Sequence, residues 1–374
     1  MSTEMSPSNR PSRRRDSARQ LLKPQQFRES VALSAQPSFR NSTLAGLQSA
    51  ATAVIALPLI YLSPWSHLIG FASLGTLVAL FGRFAPQARR NRVVFLCGIC
   101  QTLAVLCMSL VAMVGAPMIV QLVLLAISCG IFYFVTIAGK FGPPGALIFI
   151  FAAGASMSLS VTWPEVMERT AATAVVSILA CLICMVTEYF RHQAKPDRPF
   201  PSEAPRPLSH RLIASARVAF GAGVAAFTVY FLGVAHPAWA AMGAVVVMQG
   251  AHLHINMSRA LQRMAGTLLG AMVAWIILTH APSIWTLIAI LAVLQFATEM
   301  IIGTNYALGQ ILVTPMALLM TYIAAPGAHG AEMVSERVLD TFIGVAIGIV
   351  LSVLFSSQDA RSHLAEHHIK RTQR

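Results

Sequence analysis

Residues 236–278, HPAWAAMGAVVVMQGAHLHINMSRALQRMAGTLLGAMVAWIIL, constrain the chain more than any other stretch. Two apolar segments flank a polar elbow, 252–263, which carries Arg259 and Arg263. A soluble domain cannot cover so much apolar surface on both sides of so short a hinge. A bilayer can, with the arginines held at its aqueous edge. Composition agrees: 56% of the 374 residues are hydrophobic and only 11% are charged, against roughly 25% charged in soluble domains. The net charge of +13 therefore reads as topology and lipid contact rather than nucleic-acid binding.

Runs of about 20 apolar residues match the bilayer core. They fall at 43–62, 65–82, 93–115, 117–138, 143–162, 166–190, 212–234, 237–252, 263–279, 283–302, 307–325 and 337–356. The expectation is an all-α polytopic membrane protein of about twelve transmembrane helices, of which 65–82 and 237–252 are short. Prolines at Pro64, Pro117, Pro143, Pro164, Pro237 and Pro282 mark the breaks, since a proline in the first turn of a helix costs no hydrogen bond. Residues 1–41 are rich in Ser, Pro, Arg and Gln and read as a disordered basic tail. Residues 357–374 form a second tail.

Basic residues set the orientation. With the N-terminus in the cytoplasm, one side receives Arg83, Arg89, Arg90, Arg92, Lys140, Arg191, Lys195, Arg198, Arg206, Arg211, Arg259 and Arg263, and the C-terminal tail adds four more. The other side keeps Arg169 and Arg337, each beside a glutamate, Glu168 or Glu336. This asymmetry places both termini inside.

The chain also repeats itself. Trp65 precedes Arg89 by 24 residues, as Trp239 precedes Arg263. GPPGALIFIFAAG at 142–154 is answered by VTPMALLMTYIAAPG at 313–327, and Glu168-Arg169 by Glu336-Arg337. The offsets, 174 and 168 residues, imply two six-helix repeats, 42–190 and 211–356, joined by a cytoplasmic Pro-rich linker at 191–210. Even counts make the repeats parallel, related by an axis along the membrane normal.

Trp239, Gln249, Arg259 and Arg263-Met-Ala-Gly266-Thr-Leu-Leu-Gly270, with the closing segment 336–344 (ERVLDTFIG), resemble the fusaric acid resistance and aromatic acid exporter family of bacterial inner-membrane proteins. The resemblance is best over 212–356. Ala238 stands where that family often has Tyr, and the large cytosolic domain of its long members is missing. The resemblance implies proton-driven efflux of aromatic carboxylic acids from the cell, in some members with a periplasmic adaptor. Homo-oligomers fit equally, and a non-transporting scaffold within an envelope assembly is the alternative.

Several residues could carry such chemistry. Arg263 and Arg259, one helical turn apart, form an inner gate for a carboxylate or simply anchor a helix end. Trp239 and Gln249 would line the same substrate route. Glu299, alone in ILAVLQFATEMIIG with Gln295 one turn away, is a proton-coupling site or the partner of Arg263. Asp340, three residues after Arg337, exchanges a proton near the outer side or closes a helix-start ion pair. The first repeat has Ala172 at that place. Gly266 with Gly270, and Gly344 with Gly348, have the spacing of close helix contacts. The pairs Cys97/Cys100 and Cys181/Cys184 lie inside apolar runs, and His252/His254 and His367/His368 lack further ligands, so no metal or cofactor is expected. Without a phosphate loop or an acid–base cluster the chain does not read as an enzyme.

Overall fold

The computed structural model describes residues 14–193, 200, 207–250, 252–324, 330–356, 361 and 364. All regular structure among them is helical. Two short helices, α1 (Arg14–Leu21) and α2 (Pro24–Val31), precede the bundle. The first half contains α3 (Phe39–Tyr61), α4 (Ile69–Thr76), α5 (Gln87–Met113), α6 (Met118–Gly139), α7 (Leu147–Ala155) and α8 (Trp163–Val186). The second contains α9 (Leu208–Phe231), α10 (Pro237–Met248), α11 (Leu253–Thr279), α12 (Ile284–Ile301), α13 (Tyr306–Ala324) and α14 (Gly330–Leu354). Each expected span contains a helix, but among the described residues only nine helices are long and apolar enough to cross a bilayer.

The three exceptions have a common cause. The run 65–82 divides into α4 and the 3-10 turns Ser66–Leu68 and Leu77–Leu80. The run 143–162 shrinks to α7, because 142–146 turn and 157–162 leave the helix. The run 237–252 ends at Met248. At 1.5 Å per residue α10 is about 18 Å long, well short of a bilayer core of about 30 Å. Every residue of 237–247 is buried. A helix that is apolar all round belongs inside the protein, and one wrapped by neighbours has no lipid thickness to match. Membrane length is therefore imposed on the outer helices and not on these.

The polar elbow is not a break. Residues 253–263 contain neither Gly nor Pro, and Leu253, Met257, Ala260 and Arg263 recur on one buried face. The helix α11 thus starts at Leu253, and Arg259 and Arg263 share it. Arg263 is buried, ten residues inside the helix, and not at the aqueous edge. Likewise α14 begins seven residues before Arg337, which moves Asp340 from the rim to about 15 Å along the helix.

Helix neighbours recur between the halves. The pair α3/α12 is answered by α9/α6, α4/α8 by α10/α14, and α5 against α7 and α8 by α11 against α13 and α14. The glycines give the register. A Cβ on Gly75 would lie 2.9 Å from the Thr173 carbonyl oxygen, and one on Gly243 would lie 3.1 Å from that of Thr341. Gly75 and Gly243 are 168 residues apart, and so are Thr173 and Thr341. Gly70 meets Ala324 and Gly154 meets Ala238 at comparable distances, 2.2 and 2.6 Å from Cβ to Cβ. At 168 residues Trp239 corresponds to Phe71. Trp65, its expected counterpart, is 53% exposed, and Arg89 is exposed where Arg263 is buried. The 174-residue offset does not mark equivalent positions.

Residues 24–36, expected to be disordered, form a strap across the second half. Gln26 Nε2 donates to the His254 carbonyl (3.0 Å) and to Ser258 Oγ (2.7 Å). Gln262 Nε2 donates to the Ser30 carbonyl (2.7 Å), and Asn305 Nδ2 to the carbonyls of Ser30 and Ala32 (3.1 Å each). Ser34 N donates to the Thr304 carbonyl (2.8 Å) and Gln36 Nε2 to that of Met300 (2.6 Å). Residues 1–13, most of the linker and most of the C-terminal tail lie outside the described residues.

Candidate functional site

The bundle has two ends: the linker end, where α8 finishes and α9 starts, and the far end, where α8 and α14 begin. A cavity of about 360 Å³ lies at the far end between the halves, walled by α4, α7 and α8 from the first and by α10 and α13 from the second. Phe71, Phe151 and Trp239 give it aromatic surface. Met118, Met157, Met242 and Met320 give it adaptable surface. Arg169 is its cation.

Each half contributes the same constellation beside this cavity. The Arg169 guanidinium lies 5.0 Å from the centre of the Phe71 ring, and that of Arg337 lies 5.0 Å from the centre of the Trp239 ring. His67 Nε2 is 3.1 Å from Glu168 Oε2, and His236 Nδ1 is 2.6 Å from Glu336 Oε2. The His236 ring also stacks on Trp239 at 4.1 Å, the ring planes nearly parallel. The halves then diverge. Arg169 is half-buried and faces the cavity, whereas Arg337 is 2% exposed, behind Trp239.

One turn from Arg337, Asp340 is fully buried, and neither of its carboxylate oxygens accepts a hydrogen bond. The expected helix-start ion pair does not close: Arg337 Nε and Nη1 also lack hydrogen-bond partners. On α11, Arg263 Nη1 donates to Tyr306 Oη (3.1 Å) and Gln310 Oε1 (3.0 Å), while its Nε has no partner. Both partners are neutral. Arg263 and Asp340 are within electrostatic reach of Arg337.

Other expected site residues lie elsewhere. Gln249 caps the opposite end of α10, about 15 Å from Trp239, so the two do not share a site. Arg259 is half-buried in the second turn of α11. Glu299 pairs with Arg83, not Arg263, and both are buried. Gln295 joins Ser49 and Thr76 beside that pair, at 2.7 and 3.0 Å. A second ionic group at the linker end holds Arg90, whose Nη2 donates to Gln48 Oε1 (2.7 Å) and Nη1 to Glu188 Oε2 (2.8 Å). Arg191 Nε donates to Glu188 Oε1 at 2.8 Å. These pairs tie α3, α5, α8 and α12 together. Gly266 and Gly270 let α11 reach the α13 backbone, with virtual Cβ atoms 2.6 Å from the carbonyl oxygens of Ala307 and Ile311. Gly344 and Gly348 do the same for α14 on α10, at Ala240 and Ala244. Among the described residues no three His, Cys, Asp or Glu side chains gather as metal ligands; His367 and His368 lie outside them.

The span holding Trp239, Arg263, Arg337 and Asp340 decides the relationship. Residues 224–351 match the fusaric acid resistance protein-like family. A curated relative, the uncharacterized membrane protein YvaC of Bacillus subtilis (strain 168), is 32% identical over 134 residues. That alignment takes in 36% of this chain and 21% of the relative, so the chain spans about a fifth of that protein's length. No solved structure matches. The fusaric acid resistance-like span covers the buried arginines and the α10 wall of the cavity, but not Arg169 or Phe71. Sequence reasoning missed those two. In the sequence Arg169 looks like a connector charge and Trp65 outweighs Phe71; the 168-residue offset points to both.

Proposed function

We propose that this multi-pass membrane protein is a secondary transporter that exports small amphipathic organic anions, aromatic carboxylates first among them, in exchange for protons. The observation that carries the reading is the cavity between the halves, with one half-buried cation, Arg169, among aromatic and methionine side chains. An amphipathic acid needs those two surfaces: a guanidinium for its carboxylate and an apolar wall for its ring. A junction between repeats is where alternating access requires the site to be. The asymmetry of basic residues assigns the linker end to the cytoplasm and the cavity to the outside of a bacterial inner membrane. Asp340, buried and without a hydrogen-bond partner, is the preferred proton carrier over Glu299, which Arg83 already holds. Transport rather than catalysis is the reading, and a periplasmic adaptor or a second copy would act alongside this route.

The test is retention of radiolabelled benzoate in vesicles bearing the full chain, with and without an imposed proton gradient. Gradient-dependent loss of label that Arg169→Gln abolishes supports the proposal. Loss without gradient dependence removes the coupling. Vesicles indistinguishable from protein-free ones remove transport and leave a scaffold.

A further inference from the structure

The charges behind Trp239 do not balance. Two guanidinium groups, Arg337 and Arg263, are 2% and 3% exposed, and the carboxylate within reach of Arg337 is Asp340, fully buried. Glu336, the other acid nearby, is taken by His236. Three donor nitrogens, Nε and Nη1 of Arg337 and Nε of Arg263, are buried with no acceptor. Buried donors are almost always satisfied, and a buried charge without a partner is among the most costly arrangements in a protein. Packing does not require it here. The equivalent arginine of the first half, Arg169, stands on Phe71 in the same way yet opens to the cavity, and Ala172 replaces Asp340 there.

We propose that Arg337 and Arg263 form a second, interior carboxylate-binding station, separated from the cavity by the Trp239 ring, with Asp340 as its resident counter-ion. The unpartnered donors supply charge-assisted hydrogen bonds that a carboxylate can accept. The indole has Arg337 on its ring and His236 stacked against it, and it supplies the surface for a ligand ring once His236 swings aside. The ligand class is thus an aromatic monocarboxylate, an assignment that rests on the transport reading above. The two arginines of the repeat then serve successive stations, Arg169 open and Arg337 closed. Trp239 and His236, stacked at 4.1 Å, are the partition that moves when an anion passes.

The experiment is equilibrium binding of radiolabelled benzoate to the full chain in lipid nanodiscs, with no gradient, so that it reads binding and not transport. Wild-type protein is expected to bind at two stations. Arg337→Gln should remove one and keep the Arg169-dependent one. Arg337→Lys, which keeps the charge but not the guanidinium's spread of donors, should retain the interior station with affinity reduced about tenfold. Asp340→Asn, nearly the same shape without the competing charge, should tighten it severalfold. Unchanged stoichiometry and affinity in Arg337→Gln overturn the proposal even if vesicles export benzoate. Where Arg337→Gln does not fold, Asp340→Asn decides, and unaltered affinity in that variant overturns the proposal as well. Loss of the interior station in protein that fails to export sustains it and removes the transport reading alone.

Discussion

Arg337 rests its guanidinium on the Trp239 ring, 5.0 Å from the ring centre, and unlike Trp239 it does not line the cavity. The same indole therefore faces a buried cation and borders open space. Cation–π contacts contribute about 0.5–2 kcal/mol, more when desolvated. Trp239→Phe should retain most of this and bind benzoate within a few-fold of wild type. Trp239→Leu should lose the contact together with the aromatic surface that a benzoate ring would use, and the latter should cost roughly tenfold in affinity. Titration with benzoate in nanodiscs measures both, and equal affinities for the two variants would deny the ring its role.

Arg169→Gln removes the cavity's cation without emptying its aromatic wall. A charge-assisted hydrogen bond is worth about 1.5–3 kcal/mol, so benzoate affinity at the cavity should fall at least tenfold. Benzyl alcohol, which has no charge, should be unaffected. Competition binding with both compounds separates the anion requirement from general apolar partition.

Arg83 and Glu299 form a buried pair between the α4–α5 connection and α12. Arg83→Met strands a carboxylate, at a cost of about 3–5 kcal/mol. The double variant Arg83→Met/Glu299→Leu should recover most of that loss, since an apolar pair of similar volume has no charge to desolvate. Thermal unfolding in detergent reads the difference; a double variant no more stable than Arg83→Met would show that the pair is more than a local contact.

Gly344 faces Ala240 with no space for a side chain: a Cβ would come 2.1 Å from the Ala240 carbonyl oxygen. Gly344→Ala must push α14 off α10, at about 1–3 kcal/mol. Gly98→Ala, where the nearest atom is at an ordinary 3.4 Å, should be nearly neutral. Thermal midpoints of the two variants, measured side by side, check the contrast.

The strap over α11 offers a fifth measurement. Asn305 Nδ2 holds the carbonyls of Ser30 and Ala32. Asn305→Ala should release 24–36 while leaving the bundle's midpoint little changed. Faster proteolysis within that segment is the expected outcome, and unchanged cleavage would mean that the bonds of Gln26, Gln262, Ser34 and Gln36 suffice to hold it.

Hydropathy alone revealed an all-helical membrane bundle and where its long helices lie, because an apolar run of bilayer length must satisfy its own backbone. It overestimated α7, where Gly142-Pro143-Pro144-Gly145 and the segment after Ala155 use up an apolar run without forming helix. It read polarity at 252–263 as a bend, whereas Leu253, Met257 and Ala260 keep a helical stripe through it. The functional residues were harder to see. Arg169 and Arg337 looked like connector charges beside glutamates, yet those glutamates go to His67 and His236 and leave both arginines to aromatic rings. Glu299 drew attention as an isolated acid because its partner lies 216 residues away. Partnerships at that separation are set by how helices meet, and no local spacing encodes them.

The short, wholly enclosed α10 also bears on how the molecule is made. A twelve-residue helix cannot hold a transmembrane position by itself, and its most extensive neighbours include α14, about a hundred residues further along the chain. During synthesis it has no settled place until the last helix leaves the ribosome. A chain truncated before α14 should consequently be a substrate for membrane quality-control proteases, however sound its first half.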